Sequence, residues 1–524
     1  MVKSRSVFHA LAIVVIVVVS FMVVGYLSPF GSATSPDSLG YLDIAENIKN
    51  GNGFVATDFS LDKIGTNAFR HQRAWPPLYP VLLSVFVDSS RDVTTVSQVS
   101  KILFSLTTVF VYLTIYLLAD YWLALVASLL FCFVIPMVTV YAYAWSETLF
   151  LPVLVIAVWS SVKYLKLGLE KSSVLYRGVI YFLLLLALFI LAYVRYVGIA
   201  FVALLPMLYF LGDRDNLDFW FLLVSIPIYI VVVGFWLVGN YIVSDSITGA
   251  ARCLSDKSVI DNLNDVFQAF SALLPSSLLV WIVAVVLALS FVFVLKVIGK
   301  KVAGVNSGIH QLRLKSVRLL SGLCVVYFLS IVTLRTYCKF DVLDVRLLSP
   351  LFVLLYVLIV VVPGVLDVKS KIGTFVAALS CCLIIMFSFE GYAQWVLTAG
   401  NWKKNQPPGL PLNKNHQYND FTSQKKVGEV FSKITDANGV IVVDKPLIWR
   451  FITGIKCVQK PKNIDLNVFK LINTLPYRSV LIINKNEKNK FFRVLARGAK
   501  FSFVDLGSII VIRLPVKLES VKNG

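Results

Sequence analysis

The chain has 524 residues, 58% of them hydrophobic and 15% charged, with a mean hydropathy of +0.79. Soluble domains carry about 25% charged residues, so a soluble globular fold is excluded and a polytopic α-helical membrane protein is predicted. The net charge of +20 is uneven. Residues 401–524 hold 22 Lys/Arg against 8 Asp/Glu, which suits a basic region lying against anionic lipid headgroups better than a nucleic-acid binder.

Apolar segments fall at about 8–28, 97–119, 121–142, 147–165, 178–194, 197–212, 219–243, 275–297, 317–334, 347–367 and 373–394, which predicts about eleven spans. The first follows Lys3 and Arg5 but is too long for the apolar core of a signal peptide, so an uncleaved helix is expected. Leu78–Val87 is too short to cross and is read as part of a half-helix over 76–90 in the outer interface.

Lys and Arg set the orientation. With the N-terminus inside, the inner loops carry Lys163, Lys166, Lys171 and Arg177, then Lys296, Lys300, Lys301, Arg313, Lys315 and Arg318, then Lys369 and Lys371. The opposite loops are poorer in basic residues for their size. This places the large first loop, 29–96, and the C-terminal region outside. Residues 1–400 form the transmembrane domain, 401–415 a linker containing "NQPPGLPLNKN", and 416–524 a small α/β domain. In that domain "LIWRFITGIK", "NVFKLINTL" and "KNKFFRVLA" read as helices. The stretches "GVIVVD", "SVLIIN" and "GSIIVIRL" read as strands.

Several familiar chemistries lack their motifs. There is no P-loop, no GxGxxG and no HExxH. The seven cysteines form no CxxC pattern and read as small buried thiols. No cofactor and no firm metal site are indicated, and a divalent metal is left open.

Ionisable groups at the edges of spans are costly unless they face a partner or a cavity. On the outer side they gather. Asp37, Asp43 and Glu46 lie in the first loop, and His71 and Arg73 stand before the corner "WPPLYP", Trp75–Pro80. Glu147 opens the fourth span, Arg195 closes the fifth and Arg252 follows the seventh. Arg335, Asp341, Asp344 and Arg346 lie in "LRTYCKFDVLDVRLLSP". Taken singly, each has an ordinary explanation. The arginines suit snorkelling anchors. Asp341 and Asp344 suit pairing with neighbouring arginines. Glu147 suits the first turn of a helix capped by Ser146, and Asp37 suits a cap of a helix over 38–49. Asp43 and Glu46 suit that helix's solvated face. Taken together, arginines beside acids on one membrane face suit a phosphate-bearing substrate and a general base.

Quoted in order, "PDSLGYLDIAENIKNGNGF", "WPPLYPVLL", "SETLFLPVL", "YVRYVGIAF", "WLVGNYIVSDSITGAARCLS" and "DVLDVRLLSPLFVLL" resemble the C-type (GT-C) membrane glycosyltransferases. The likeness is to the branch of lipid A aminoarabinose transferases and protein O-mannosyltransferases, and it runs along about 30–400. It implies transfer of a sugar from a polyprenyl-phosphate donor to a glycan, lipid or protein acceptor, on the extracytoplasmic face of the plasma membrane, with inversion at the anomeric centre. By the same resemblance Asp37 is the catalytic acid of the first loop, with Ser38 where many members have a second acid. Gly239 stands before Asn240 where the pattern has Arg. Arg252, Arg335, Arg346 and Arg195 are the implied donor-phosphate contacts. Tyr41, His71, Arg73, Trp75, Tyr79, Glu147, Asp341 and Asp344 would shape the site or meet the acceptor. The competing expectations are a transporter or flippase for lipid-linked sugars, and a non-catalytic membrane scaffold whose basic tail binds a partner.

Overall fold

In the computed structural model, Val2–Leu27 forms one helix, α1. Proline is absent from it, and its apolar residues lie all round, so its backbone bonds close internally while its surface suits lipid. The structure describes residues 2–28, 31–58, 69–71, 74–212, 216–249, 253–271 and 308–365. In the C-terminal region it describes 440–443, 450, 456–459, 480–484, 499–500, 503–505, 509–513 and 517–518.

Among the described residues, seven helices are long and apolar enough to cross a bilayer: Ser6–Leu27, Val93–Leu118, Glu147–Leu169, Val174–Val194, Asp218–Ser244, Gly308–Tyr337 and Val345–Val365. The protein is therefore a multi-pass α-helical membrane protein. The expected spans at 275–297 and 373–394 lie outside the described residues. Two other expectations are corrected. Residues 121–142 are not one continuous span but two helices, α5 (Tyr121–Phe131) and α6 (Ile135–Ala142), bent by 55° at the break between them, with Pro136 fitting the first turn of α6. Residues 197–212 begin as a 3-10 helix, Tyr196–Ala203, and continue as a short α-helix, Leu204–Leu211.

The chain divides into two compact units. The first comprises 1–33, 73–79 and 93–409; the second comprises 34–72, 80–92 and 410–524.

Within the first unit, α4 (Val93–Leu118), α7 (Glu147–Leu169) and α13 (Val345–Val361) run one way, and α8 (Val174–Val194), α10 (Asn216–Ser244) and α12 (Gly308–Tyr337) run the other, with the short helices α9 (Leu204–Leu211) and α11 (Val259–Ser271) between them in the chain. Hydrogen bonds mark the two ends. At one end Arg313 donates to the carbonyls of Leu118 (2.6 Å) and Gly364 (3.0 Å). There too Arg177 pairs with Asp218 at 2.5 Å, and Tyr164 donates to the same carboxylate. Arg177, expected among the basic residues of an inner loop, lies in the first turn of α8 and is buried in this pair. At the other end Ala33 pairs with residues beside Tyr143, Ser28 meets Ser97, and Asn240 donates to Tyr196. Gly31 makes the turn after α1. Its φ of +103° and the Val93 atoms that a Cβ would meet at 2.8–2.9 Å leave room for glycine alone.

Within the second unit, α2 (Pro36–Lys49) is followed by an antiparallel pair, β1 (Val55–Thr57) and β2 (Phe69–His71). The helix α3 (Leu78–Phe86) starts at the unit border behind the proline corner, where a half-helix is expected. The C-terminal strands β3 (Val440–Val443), β4 (Lys456–Gln459), β5 (Val480–Asn484), β7 (Phe503–Asp505) and β8 (Ile509–Arg513) form one sheet in the order β4-β3-β5-β8-β7. β3 runs parallel to β4 and β5, while β8 runs antiparallel to β5 and β7. The three expected strands are present. Lys456, expected at the end of a helix, instead opens β4. The expected helices "NVFKLINTL" and "KNKFFRVLA" lie outside the described residues, apart from the short strand that starts at Ala499 beyond them.

Free thiols are buried at Cys132, Cys324 and Cys457, as expected, but Cys253 is exposed and Cys338 half-buried. Cys381 and Cys382 lie outside the described residues.

Candidate active site

The first unit gathers charge where three of its helices end together. Glu147 is the first residue of α7 and only 1% exposed. Arg346, in the first turn of α13, donates its Nε to Glu147 Oε1 at 2.7 Å. Arg195, the residue that ends α8 in an extended conformation, pairs with the same oxygen. Ser146 stands at the cap position of α7 but makes no side-chain cap bond; its hydroxyl donates to Glu147 Oε2 at 3.3 Å. The carboxylate therefore carries two guanidinium partners, one from each of two distant segments.

Aromatic rings brace the cluster. The Arg346 guanidinium lies 4.7 Å from the centre of the Trp145 ring, a cation–π geometry. Trp145 in turn stacks on Tyr143, with centroids 4.1 Å apart and planes 9° from parallel. Tyr327, fully buried, donates to the carbonyl of Leu347 at 2.5 Å and so fixes the start of α13. That start is capped by Asp344, whose carboxylate accepts from Leu347 N at 3.0 Å. Burial pushes the Asp344 carboxyl above its usual range, opposed by its bond from Leu347 and by the charge of Arg346. Asp341 lies 3.8 Å from Arg346 Nη1 and is largely exposed. Asp341 and Asp344 thus do stand beside an arginine; Asp344 is in addition a helix cap.

Arg335 closes α12 and is only 4% exposed. Its Nη1 donates to Ser255 Oγ at 3.1 Å, and its guanidinium lies 5.6 Å from the centre of the Phe340 ring. Backbone bonds from Ser255 to Tyr337 and from Lys339 to Cys253 zip the loop after α10 to the end of α12. Arg252 lies outside the described residues, as does Arg73. Asn240, buried, spends its amide on Tyr196 (2.9 Å) and the Ile247 carbonyl (3.2 Å). Gly239 leaves open space where the resemblance expects a side chain. Trp75 is half-buried and Tyr79 buried in the same unit.

The second unit holds Asp37, Tyr41 and His71. The helix α2 starts at Pro36, with Ser35 as its cap: Ser35 Oγ accepts from Ser38 N at 3.3 Å. The expectation that Asp37 is the cap is corrected, because Pro36 fits the first helical position and Ser35 supplies the capping oxygen. Asp37 is half-buried in the first turn, where the helix dipole favours a negative charge. Tyr41 is buried one turn further on, and His71 is exposed at the end of β2.

Asp43 and Glu46 were expected on a solvated face, and for Asp43 this is corrected. Asp43 is 2% exposed. Its Oδ2 accepts from Thr57 N at 2.8 Å; its Oδ1 accepts from Thr57 Oγ1 at 2.7 Å and from Arg450 Nη1 at 2.9 Å. Glu46 accepts from Arg450 Nη2 at 3.4 Å and from Ser90 N at 3.3 Å. Arg450, Ser255, Trp145, Tyr143 and Tyr327 carry no motif that marks them in the sequence. Lys101, buried in α4 with its Nζ 5.3 Å from the centre of the Phe21 ring, was signalled only by a lysine inside an apolar run. Among the described residues no three His, Cys, Asp or Glu converge into a group able to hold a metal ion.

No protein-family model and no curated protein matches the sequence. Solved structures do. ArnT from Cupriavidus metallidurans, bound to undecaprenyl phosphate, superposes with a TM-score of 0.57 at 11% identity, over 96% of this chain and 97% of that one. The Archaeoglobus fulgidus oligosaccharyltransferase in its apo form superposes with a TM-score of 0.50 at 10% identity, over 97% of this chain and 75% of that one. Such a likeness in backbone, spanning nearly the whole chain, is one of fold: this protein has the fold of the C-type membrane glycosyltransferases.

Proposed function

We propose that the protein is a membrane glycosyltransferase. It moves a sugar from a polyprenyl-phosphate donor to a glycan, lipid or protein acceptor on the extracytoplasmic face of the plasma membrane. The observation that carries this reading is the convergence of Arg195 and Arg346 on Glu147 at one end of the helix bundle. Two guanidinium forks brought together at the edge of the spans suit the bidentate recognition of an anionic headgroup. The fold supports the same reading, since ArnT was solved with undecaprenyl phosphate.

The reaction follows as a single displacement. The acceptor hydroxyl oxygen attacks the anomeric carbon, and Asp37 takes its proton. The bond from that carbon to the phosphate oxygen breaks with inversion. The polyprenyl phosphate leaves with its charge stabilised by Arg195, Arg335 and Arg346, with Arg252 as a further contact. Residues 416–524 complete the extracytoplasmic part of the protein.

The test is Asp37→Asn in membranes supplied with a defined polyprenyl-phosphate sugar. Transfer is expected to vanish while expression and insertion persist. Transfer at the wild-type rate would remove Asp37 from the mechanism. A transporter for lipid-linked sugars predicts paired broken helices. The described residues contain one bent pair, Tyr121–Phe131 with Pro136–Ala142, and no second one to match it. Donor flipping by the Asp37→Asn variant without any transfer by the wild type would favour transport.

A further inference from the structure

The helix α2 carries Asp37 near its start and Asp43 six residues on, about 9 Å along the axis at 1.5 Å per residue. Nine of its fourteen residues are buried, so the helix cannot roll or slide without moving its neighbours. Its polar anchor is Asp43. One oxygen of that carboxylate is held by the backbone of Thr57, the other by the Thr57 hydroxyl and by Arg450. Arg450 Nη1 also donates to Thr57 Oγ1 at 3.1 Å, and Nη2 reaches Glu46 one helical turn beyond Asp43. The guanidinium fork therefore grips α2 at two positions and β1 at a third, from about four hundred residues further along the chain. A fork that spans two acids fixes an angle as well as a distance.

We propose that Arg450 is a positioning residue for sugar transfer: by gripping Asp43 and Glu46 it sets the orientation of α2 and so of Asp37. This rests on the reading of Asp37 as the base. It assigns the C-terminal region a role in the chemistry, made through a single side chain.

The experiment uses the full chain in lipid nanodiscs, with Arg450→Ala, Arg450→Lys and Asp43→Asn. Two readouts are taken: amide hydrogen exchange of residues 36–49, and steady-state transfer from a polyprenyl-phosphate sugar. Arg450→Ala is expected to speed exchange in α2 and to lower kcat by one to two orders of magnitude, since a misplacement of about 1 Å costs up to 10²-fold. Its donor KM is expected to stay within about twofold, because the donor contacts are untouched. Arg450→Lys keeps the charge without the fork and should restore part of kcat. Unchanged exchange in α2, or a loss confined to KM, would overturn the proposal. Faster exchange spread evenly over every helix would also overturn it, because that marks loss of stability alone. A wild-type chain with no transfer would overturn the glycosyltransferase reading instead, and exchange in α2 would still decide whether Arg450 holds the helix.

Discussion

Arg346 donates to Glu147 at 2.7 Å across a separation of 199 residues, and Arg195 pairs with the same oxygen. Three helix ends are locked together by one carboxylate. Glu147→Gln keeps the shape and removes the charge, so Arg195 and Arg346 both lose this shared carboxylate. Breaking a buried pair by removing one partner costs about 3–5 kcal/mol. The expected outcome is a clearly lower melting midpoint in detergent together with a raised donor KM. Arg346→Lys should fail to substitute, because an ammonium on a flexible stem loses the Nε bond and the stacking on Trp145. Near-wild-type melting of Glu147→Gln would show that the pair is not holding these ends.

The start of α2 offers a milder test. Ser35 caps it, and Asp37 sits two residues on. Ser35→Ala should cost about 1 kcal/mol in helix stability, and Ser35→Asp should restore it. If Asp37 acts from this turn, kcat falls in the alanine variant and recovers in the aspartate one. An alanine variant with normal kcat would mean that the first turn does not control the position of Asp37.

How far these features were legible varies by their cause. Spans are written in runs of apolar residues, so the helices from Val93, Glu147, Val174, Gly308 and Val345 follow directly from hydropathy. Glu147, Arg195 and Arg346 were singled out because a charge at the edge of a span needs a partner, and they partner one another. Asp43 gives no sign of burial in the sequence, because its spacing beside Glu46 is that of an ordinary polar helix face. What buries it are Thr57, β1 and Arg450, none of them encoded within the helix. Arg177 has the look of a loop cation in the sequence for the same reason: its partner Asp218 lies 41 residues away. The 3-10 segment after Arg195 escaped because its apolar composition does not distinguish 3.0 from 3.6 residues per turn.

The anchor at Asp43 makes stability depend on pH in a definite direction. Burial is the largest influence and raises its pKa above 3.8, while bonds from Thr57 and the charge of Arg450 oppose the rise. A raised folded pKa means that this group's contribution is full below 3.8 and is lost as pH rises through the folded value. Asp43→Asn should remove that component from the pH profile of the melting midpoint. Arg450→Gln should move the loss to higher pH, because the opposing charge is gone. A profile in Asp43→Asn identical to that of the wild type would show that Asp43 does not titrate differently on folding.

Gly198 gives the sharpest steric test of the cluster. After α8 ends, Arg195 N still bonds to the Leu191 carbonyl at 3.0 Å, and Gly198 N then bonds to the Arg195 carbonyl at 2.8 Å. This tight turn aims Arg195 at Glu147. A Cβ at Gly198 would overlap the Leu191 carbonyl and come within 2.9 Å of Ala192 N. Those atoms are backbone and cannot swing aside, so Gly198→Ala must push the 3-10 helix away from α8. Overpacking of this kind costs typically about 1–3 kcal/mol. The shift is expected to pull Arg195 off Glu147 and so to raise donor KM by more than Gly234→Ala does, a position with open space around it. Equal, small effects of the two substitutions would show that the turn is not what places Arg195.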